Sequence, residues 1–240
     1  MKANRSNLKS HKIIYADGAS DFGKIILDYI IKEAKKNISQ SGAFNMVISG
    51  GSTPHPFYKE ISIQNVKASI DWSKFNLYFI DERCVTPQSD QNNYNQCYNM
   101  WLKYFPTIKS YRIESWIDPT IAAENYQKII YKNIGIQNGL PQFDLMFFGV
   151  GSDGHVASIF PDTDQKKISN EIVQAAFIDS LKMNRISMTI PLINNSKVRL
   201  IGFLGNQKRK LFKKILKSEN ENLPVFQLLK SKSTSTWIIA

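Results

Sequence analysis

Short apolar segments alternate with longer amphipathic segments along this chain. The apolar segments 44–49, 75–80 and 143–150 each run directly into glycines or charged residues. The segments between them, such as 19–36, carry apolar side chains at helical spacing. This alternation is typical of β-α-β units, so we predict an α/β fold. Its sheet is expected to be mainly parallel and twisted, with helices on both faces in a three-layer, Rossmann-like arrangement.

Further elements follow from the same patterns. The predicted strands are 12–16, 44–49, 75–80, 143–150, 185–190, 197–204 and 236–240. The predicted helices are 19–36, one beginning at Pro54, 91–105, 120–133 and 208–217. Ligands of such sheets bind beyond the carboxyl ends of the strands, so we expect the chemistry in the loops that follow the three apolar segments.

The net charge of +11 suggests an anionic partner, such as nucleic acid, an acidic surface or a phosphorylated metabolite. Six of the ten residues at 208–217 are basic, with apolar residues among them at helical spacing, which predicts a surface helix with a solvated basic face. No paired zinc ligands or aromatic RNA-binding segment accompany this charge. A nucleic-acid-binding module therefore stays the alternative from a different class, and we expect no nucleic-acid partner.

The composition and the N-terminal residues indicate which class of protein this is. Hydrophobic residues make up 42% and charged residues 21% of the 240 residues, as in globular proteins. Apolar runs stay far below the ~20 residues of a membrane span, so no membrane partner is expected. Residues 1–12 are basic and polar, which predicts a flexible tail before a single domain at 13–240. Cys84 and Cys97 form no CxxC pair, which favours free thiols in a reduced, cytoplasmic protein.

The first loop reads Ser-Gly-Gly-Ser-Thr-Pro at 49–54. Gly50 and Gly51 allow a ligand to approach the backbone closely, and a helix beginning at Pro54 offers unpaired N–H groups. Ser52 and Thr53 add hydroxyl donors, so the loop suits a phosphate group. The alternative is a capped turn without a ligand. No Walker A lysine follows, so a nucleoside triphosphate is not implied.

The second loop reads Asp-Glu-Arg at 81–83. The Arg83 guanidinium could bind phosphate or carboxylate oxygens, and Asp81 could act as an acid/base group or cap a helix. A solvated loop is the equal alternative. The polar run 88–95 that follows is long enough for a flap over a pocket.

The third loop reads Gly-Val-Gly-Ser-Asp-Gly-His at 149–155. His155 is the best candidate for a general base, because His11 falls in the predicted tail and His55 has no comparable setting. Asp153 could orient its imidazole, and the glycines could turn N–H groups towards an oxyanion. The alternative is a turn whose histidine caps a helix. The segment does not match the G-x-S-x-G elbow of serine hydrolases.

Taken together, these segments resemble the 6-phosphogluconolactonases, of the fold group of glucosamine-6-phosphate deaminases and ribose-5-phosphate isomerases. The resemblance covers nearly the whole chain from about residue 13. Its most specific part is G-V-G-S-D-G-H-V-A-S-I-F-P at 149–161. Supporting segments are S-G-G-S-T-P at 49–54, D-E-R at 81–83, N-Y at 93–94, R-I-S-M-T-I-P at 185–191, and Gly205 with Lys208.

The resemblance implies a phosphosugar lactone as substrate, hydrolysed without metal or cofactor. We expect the protein to be a monomer or weak dimer. It implies that His155 activates water. It also places Ser52, Thr53, Arg83, Arg185 and Lys208 around the substrate and its phosphate.

Some positions depart from the family pattern. Thr86 precedes Pro87, Asn92-Asn93 stands in place of Ser-Asn, and Ser89 aligns with a common histidine, all within the expected flap. A sugar-phosphate isomerase or deaminase of the same fold is the closest alternative. Deaminases resemble this chain in the glycine loops, but they carry Tyr where Arg83 stands and Glu where Phe160 stands. An apolar ring at 160 cannot do acid/base work, which favours the lactonase reaction.

Overall fold

The computed structural model describes residues 11–63, 66–163, 171–217, 221–229 and 233–240. Its strands are β1 (Lys12–Tyr15), β2 (Phe44–Ile48), β3 (Phe75–Phe79), β4 (Asp81–Arg83), β5 (Lys109–Tyr111), β6 (Ile136–Gln137), β7 (Leu140–Pro141), β8 (Leu145–Gly149), β9 (Val173–Ile178), β10 (Met183–Met188), β11 (Val198–Phe203) and β12 (Thr234–Ile239). Its helices are α1 (Gly18–Ser41), α2 (His55–Ile63), α3 (Asn93–Met100), α4 (Pro119–Asn133), α5 (Ile190–Asn194), α6 (Asn206–Leu216) and α7 (Pro224–Leu228).

The central sheet confirms the predicted α/β architecture. Seven strands pair in the order β1-β12-β11-β8-β2-β3-β5, and every pairing between them is parallel. Strands β2, β3, β8 and β11 are buried along nearly their whole length, so both faces of the sheet are covered. After β2 the chain moves towards β5, whereas after β8 it moves towards β1. A crevice therefore opens between the carboxyl ends of β2 and β8.

Local chemistry explains where helix α4 begins and where helix α1 ends. The Asp118 carboxylate accepts hydrogen bonds from the N–H groups of Thr120 and Ile121, which caps α4 just before its first-turn Pro119. Helix α1 ends at Ser41, and the next residue, Gly42, has a φ of 79°, the left-handed conformation that glycine adopts readily.

Two predicted segments differ in the structure. Residues 81–83 are not a loop: they form β4, which pairs with β10 in a separate antiparallel sheet of order β4-β10-β9. The strand predicted at 185–190 is β10, which ends at Met188. Ile190 instead begins α5, because Pro191 has no N–H for a sheet ladder and fits the first turn of a helix.

The predicted tail overlaps the folded domain. His11 is buried with its ring 6.0 Å from that of Trp237, and Lys12 begins β1, so neither belongs to a tail. Residues 1–10 lie outside the described residues. The prediction of free cysteines is confirmed for both, Cys84 half-buried and Cys97 buried.

Candidate active site

One open cavity of about 560 Å³ lies at the carboxyl ends of β2 and β8, beside the small antiparallel sheet. It brings together every residue that the sequence predicts for the site. These are Gly50, Gly51, Ser52, Thr53, Arg83, Asp153, His155, Arg185 and Lys208.

The first loop connects β2 to α2 and is shaped by its glycines. A Cβ atom on Gly50 would lie 1.9 Å from Oδ1 of Asn93, and Gly51 has a φ of 74°. Among the described residues, the structure shows no hydrogen-bond acceptor for the backbone N–H groups of Gly50, Gly51, Ser52 and Thr53. These free donors beside a helix N-terminus form a concave surface that suits an anion.

A lysine from α6 reaches across to this loop. The Nζ atom of Lys208 donates a 2.8 Å hydrogen bond to Oγ1 of the buried Thr53. A Cβ atom on Gly149 would lie 2.2 Å from the same oxygen, so the glycine makes room for the threonine. Burial lowers the pKa of Lys208. An anion bound here would therefore meet a poorly solvated cation.

Two arginines face the cavity from the small sheet. Arg83 on β4 is directly opposite Arg185 on β10 in the antiparallel register. Burial lowers the pKa of Arg185, and the charge of Arg83 acts in the same direction. Nε of Arg185 is buried and has no hydrogen-bond partner within the described part of the chain, whereas Nη1 of Arg83 donates to the carbonyl of Gln91 at 2.7 Å. An anionic ligand would relieve the repulsion between these cations.

Glu82, between Asp81 and Arg83, has a structural role that the sequence analysis did not predict. Its fully buried carboxylate accepts hydrogen bonds from three backbone N–H groups, those of Arg83, Asn93 and Tyr94, at 2.8, 2.8 and 3.0 Å. Burial raises its pKa to about 7 although these bonds act to lower it. Glu82 thus ties β4 to the N-terminus of α3, where the flap predicted at 88–95 ends.

Asn93 and Ser158 also line the cavity, although the sequence analysis did not predict them as site residues. The Asn93 amide donates to the Asp81 carbonyl at 2.9 Å, and the Ser158 hydroxyl donates to the Asp81 carboxylate at 2.6 Å. Each of the three residues is buried and lines the cavity. Their sequence signal is their place within the family-like motifs, since nothing in local spacing joins residues 81, 93 and 158.

The catalytic pair predicted in the third loop has a defined geometry. Nδ1 of His155 lies 2.7 Å from Oδ1 of Asp153, and the same oxygen accepts from the His155 backbone N–H at 3.2 Å. Burial acts to raise the pKa of Asp153, but the hydrogen bond and charge of His155 outweigh it, so the pKa is lowered. Because an ionised carboxylate only accepts, Nδ1 carries the proton and Nε2 is the basic nitrogen.

The glycine loop does not offer its N–H groups as expected. Gly151 donates to the carbonyl of His155 at 3.0 Å, and Gly154 donates to that of Gly151 at 2.9 Å. Both groups close the turn itself and are not free for an oxyanion. Residues 156–163, the described segment after His155, form no helix either; Val156 and Ile159 bridge in a tight turn.

The described part of the chain contains neither a candidate metal site nor a candidate membrane-spanning helix. No group of three or more His, Cys, Asp and Glu side chains there could hold a metal ion. No helix there is long and apolar enough to cross a membrane.

Comparisons with known proteins point to one family. The family model described as glucosamine-6-phosphate isomerases/6-phosphogluconolactonase matches residues 18–237. A 6-phosphogluconolactonase of Chlamydia pneumoniae is 30% identical over 216 residues, which cover 88% of this chain and 80% of the relative. The chloroplastic 6-phosphogluconolactonase 3 of Arabidopsis thaliana is 31% identical over 230 residues, which cover 91% and 69% of the two chains.

Solved structures share the fold. A 6-phosphogluconolactonase from Trypanosoma brucei superposes with a TM-score of 0.85 over 95% of each chain at 20% identity. One from Thermotoga maritima superposes with a TM-score of 0.79 over 95% of this chain and 99% of its own, at 24% identity.

Proposed function

Because the chain belongs to the family of glucosamine-6-phosphate isomerases and 6-phosphogluconolactonases, we propose that it hydrolyses 6-phospho-D-glucono-1,5-lactone to 6-phosphogluconate in the oxidative pentose phosphate pathway. The observation that carries this proposal is the His155–Asp153 pair, which borders the same cavity as the cations Arg83, Arg185 and Lys208. A base beside an anion-binding surface suits a phosphorylated substrate that reacts with water.

The first loop and the cations bind the substrate phosphate. The free N–H groups of 50–53 and the Ser52 hydroxyl donate to its oxygens, and Lys208 supplies charge. Arg83 and Arg185 add a second cationic wall. Binding the phosphate at this edge of the cavity holds the lactone ring near His155.

His155 then acts first as base and afterwards as acid. Its Nε2 takes a proton from water while the water oxygen attacks the lactone carbonyl carbon, C1. The tetrahedral intermediate collapses as the bond between C1 and the ring oxygen breaks. The imidazolium returns its proton to that ring oxygen, and the open product carries a carboxyl group at C1. Asp153 keeps the imidazole in the required tautomer and stabilises the imidazolium.

The oxyanion needs donors other than Gly151 and Gly154, whose N–H groups are already bonded. The guanidinium group of Arg185 suits this task, since its buried Nε has no hydrogen-bond partner among the described residues. A δ-lactone already reacts with water, so the enzyme needs to lower the barrier less than an amidase does.

Two residues separate this reaction from the deaminase reaction of the same family. The ring centroid of Phe160 lies 4.4 Å from that of His155. Deaminases, which are similar to this chain in the glycine loops, have a glutamate at the position of Phe160. Arg83 stands where they have a tyrosine. Neither side chain can supply acid/base chemistry for ring opening at pH 7.

The remaining parts of the proposal concern the setting of the enzyme. It uses no metal or cofactor, acts as a monomer or weak dimer, and works in the cytoplasm, which two free thiols support. The +11 charge serves the anionic substrate, not nucleic acid.

The test is an assay on freshly generated 6-phosphogluconolactone, corrected for spontaneous hydrolysis, with and without EDTA. We expect hydrolysis above background in both conditions and no ammonia from glucosamine 6-phosphate. Ammonia release, or activity abolished by EDTA, would overturn the proposal. Retention on heparin at physiological salt would instead support the nucleic-acid alternative.

A further inference from the structure

Phe160 packs beside the imidazole of His155, although the proposed reaction gives this phenylalanine no role. The ring of Phe160 lies against the imidazole, with centroids 4.4 Å apart and planes inclined by 33°. Phe160 is 8% exposed, whereas the His155 side chain is 31% exposed. A buried ring thus covers part of a histidine that is open to the cavity.

The hydrogen bond to Asp153 does not by itself fix the imidazole. It holds Nδ1 at 2.7 Å, but one bond to one carboxylate oxygen leaves the ring free to tilt about that contact. A second constraint comes from Gly151, where a Cβ atom would lie 2.1 Å from Nδ1 and 2.2 Å from Cε1 of the ring. The backbone of Gly151 therefore limits the Nδ1–Cε1 edge, and Phe160 contacts the ring.

Phe160 itself is held firmly by the turn that precedes it. Val156 and Ile159 exchange backbone hydrogen bonds of 3.2 and 2.9 Å, and between them Ala157 adopts a φ of 53°. A non-glycine residue in this left-handed region carries strain that its surroundings must compensate. The turn thus folds the chain back so that residue 160 reaches residue 155.

Two strands of the small sheet brace this turn at Ser158. Its hydroxyl donates to the Asp81 carboxylate of β4 at 2.6 Å, and its backbone N–H donates to the Ser187 hydroxyl oxygen of β10 at 3.2 Å. Farther along, the N–H and hydroxyl of Thr163 both donate to the Phe160 carbonyl, at 3.3 and 3.0 Å. Phe160 is therefore anchored on both sides in sequence, which a side chain needs if it is to hold another in place.

We propose that Phe160 is a positioning residue that, with Gly151 and Asp153, holds the His155 imidazole so that Nε2 points at the substrate. This inference rests on the proposed role of His155. It explains why an aromatic residue suits the fifth position after the histidine: a flat ring matches the flat imidazole and brings no competing hydrogen-bonding group. Displacement of a catalytic group by about 1 Å can cost about 100-fold in rate.

The test compares Phe160→Leu, which keeps an apolar side chain without a ring face, with Phe160→Tyr, which keeps the ring. Ile159→Ala is the control, because Ile159 is buried in the same turn but makes no ring contact with His155. We expect Phe160→Leu to lower kcat about 10- to 100-fold, with KM changed less than about threefold. Phe160→Tyr should stay within about threefold of the wild type, and Ile159→Ala should lower Tm with little change in kcat.

The ¹⁵N spectrum of the imidazoles provides a readout that does not depend on activity. The chain has only three histidines, so His155 can be assigned from one variant. We expect one sharp Nδ1–H form in the wild type and a broadened, exchanging signal in Phe160→Leu. Wild-type kcat and spectrum in Phe160→Leu would overturn the inference, as would equal losses in the Leu and Tyr variants. An inactive wild type with the expected spectra would overturn the proposed function alone.

Discussion

Nδ1 of His155 lies 2.7 Å from a carboxylate oxygen of Asp153, two residues earlier in the same loop. The pairing is local, so one loop carries both the proposed base, His155, and the proposed orienting group, Asp153. The pKa of Asp153 is lowered, since the interaction with His155 outweighs burial. The Asp153 carboxylate therefore stays ionised at neutral pH.

Replacing this carboxylate should damage catalysis more than binding. Asp153→Asn removes the charge and allows the amide to favour the wrong imidazole tautomer, so we expect kcat to fall about 10²- to 10⁴-fold with a smaller change in KM. Steady-state kinetics with the phosphorylated lactone measure this. Asp162→Asn is the control, because Asp162 is exposed outside the cavity. Equal kcat in both variants would remove Asp153 from the proposed role.

Arg83 should distinguish phosphorylated from unphosphorylated substrate. A lost charge-assisted contact costs about 1.5–3 kcal/mol, so Arg83→Ala should weaken the phosphorylated lactone about 10- to 100-fold and gluconolactone far less. The measurement is kcat/KM on both lactones. Arg112→Ala is the control, since Arg112 is exposed and packs on Trp116 away from the cavity. If both lactones lose equally in Arg83→Ala, Arg83 does not bind the phosphate.

For the lysines of α6, the position of the side chain should affect kcat/KM more than its charge does. Lys208 contacts Thr53 in the cavity, whereas Lys213 and Lys214 are exposed on the same helix. Lys208→Ala should lower kcat/KM about tenfold or more, while the double reversal Lys213→Glu/Lys214→Glu should barely change it. Measurements at low and high salt complete the test. Comparable losses that shrink as salt rises would show long-range steering by the whole basic face.

The buried His11 should make stability depend on pH. Burial lowers the pKa of His11 below its usual value, and the charge of Arg199 acts in the same direction. The unfolded chain therefore binds a proton at higher pH than the folded chain does. The resulting stability is present above the usual pKa of about 6.5 and is lost as the pH falls through it.

We accordingly expect the free energy of unfolding to decrease between about pH 7.5 and about pH 5.5, and to decrease less in His11→Gln. Denaturant titrations at the two pH values measure the difference. His55→Gln should leave the slope unchanged, because His55 is exposed on α2. A slope in His11→Gln equal to that of the wild type would contradict the assignment.

The sequence allowed six of the seven strands of the central sheet to be predicted, because buried strands leave a local signal. The edge strand β5 was not predicted, since its Lys-Ser-Tyr sequence contains no apolar run. The loop residues proposed for the site also have local signals, whereas Arg185 and Lys208 were proposed from the family resemblance. Buried parallel strands appear as apolar runs, and the loops that follow them stand out by their glycines and charges. Strand ends of a parallel sheet share one edge, so residues as distant as Gly51 and His155 could be expected to meet.

The small antiparallel sheet could not be predicted in this way. Strand β4 is Asp-Glu-Arg, three charged residues typical of a loop, and it is a strand only because β10 pairs with it. The opposition of Arg83 and Arg185 depends on that register, which no local pattern specifies. The left-handed Ala157 is likewise stabilised by contacts from other strands, through Ser158.

The central claim is that His155 is the base of a phosphosugar lactonase, and single-turnover hydrolysis by His155→Ala tests it most directly. After correction for spontaneous hydrolysis of 6-phosphogluconolactone, we expect a rate about 10²- to 10⁴-fold below that of the wild type, a smaller change in KM, and a wild-type rate in the control His55→Ala. A His155→Ala variant that hydrolyses the lactone at nearly the wild-type rate would contradict the account.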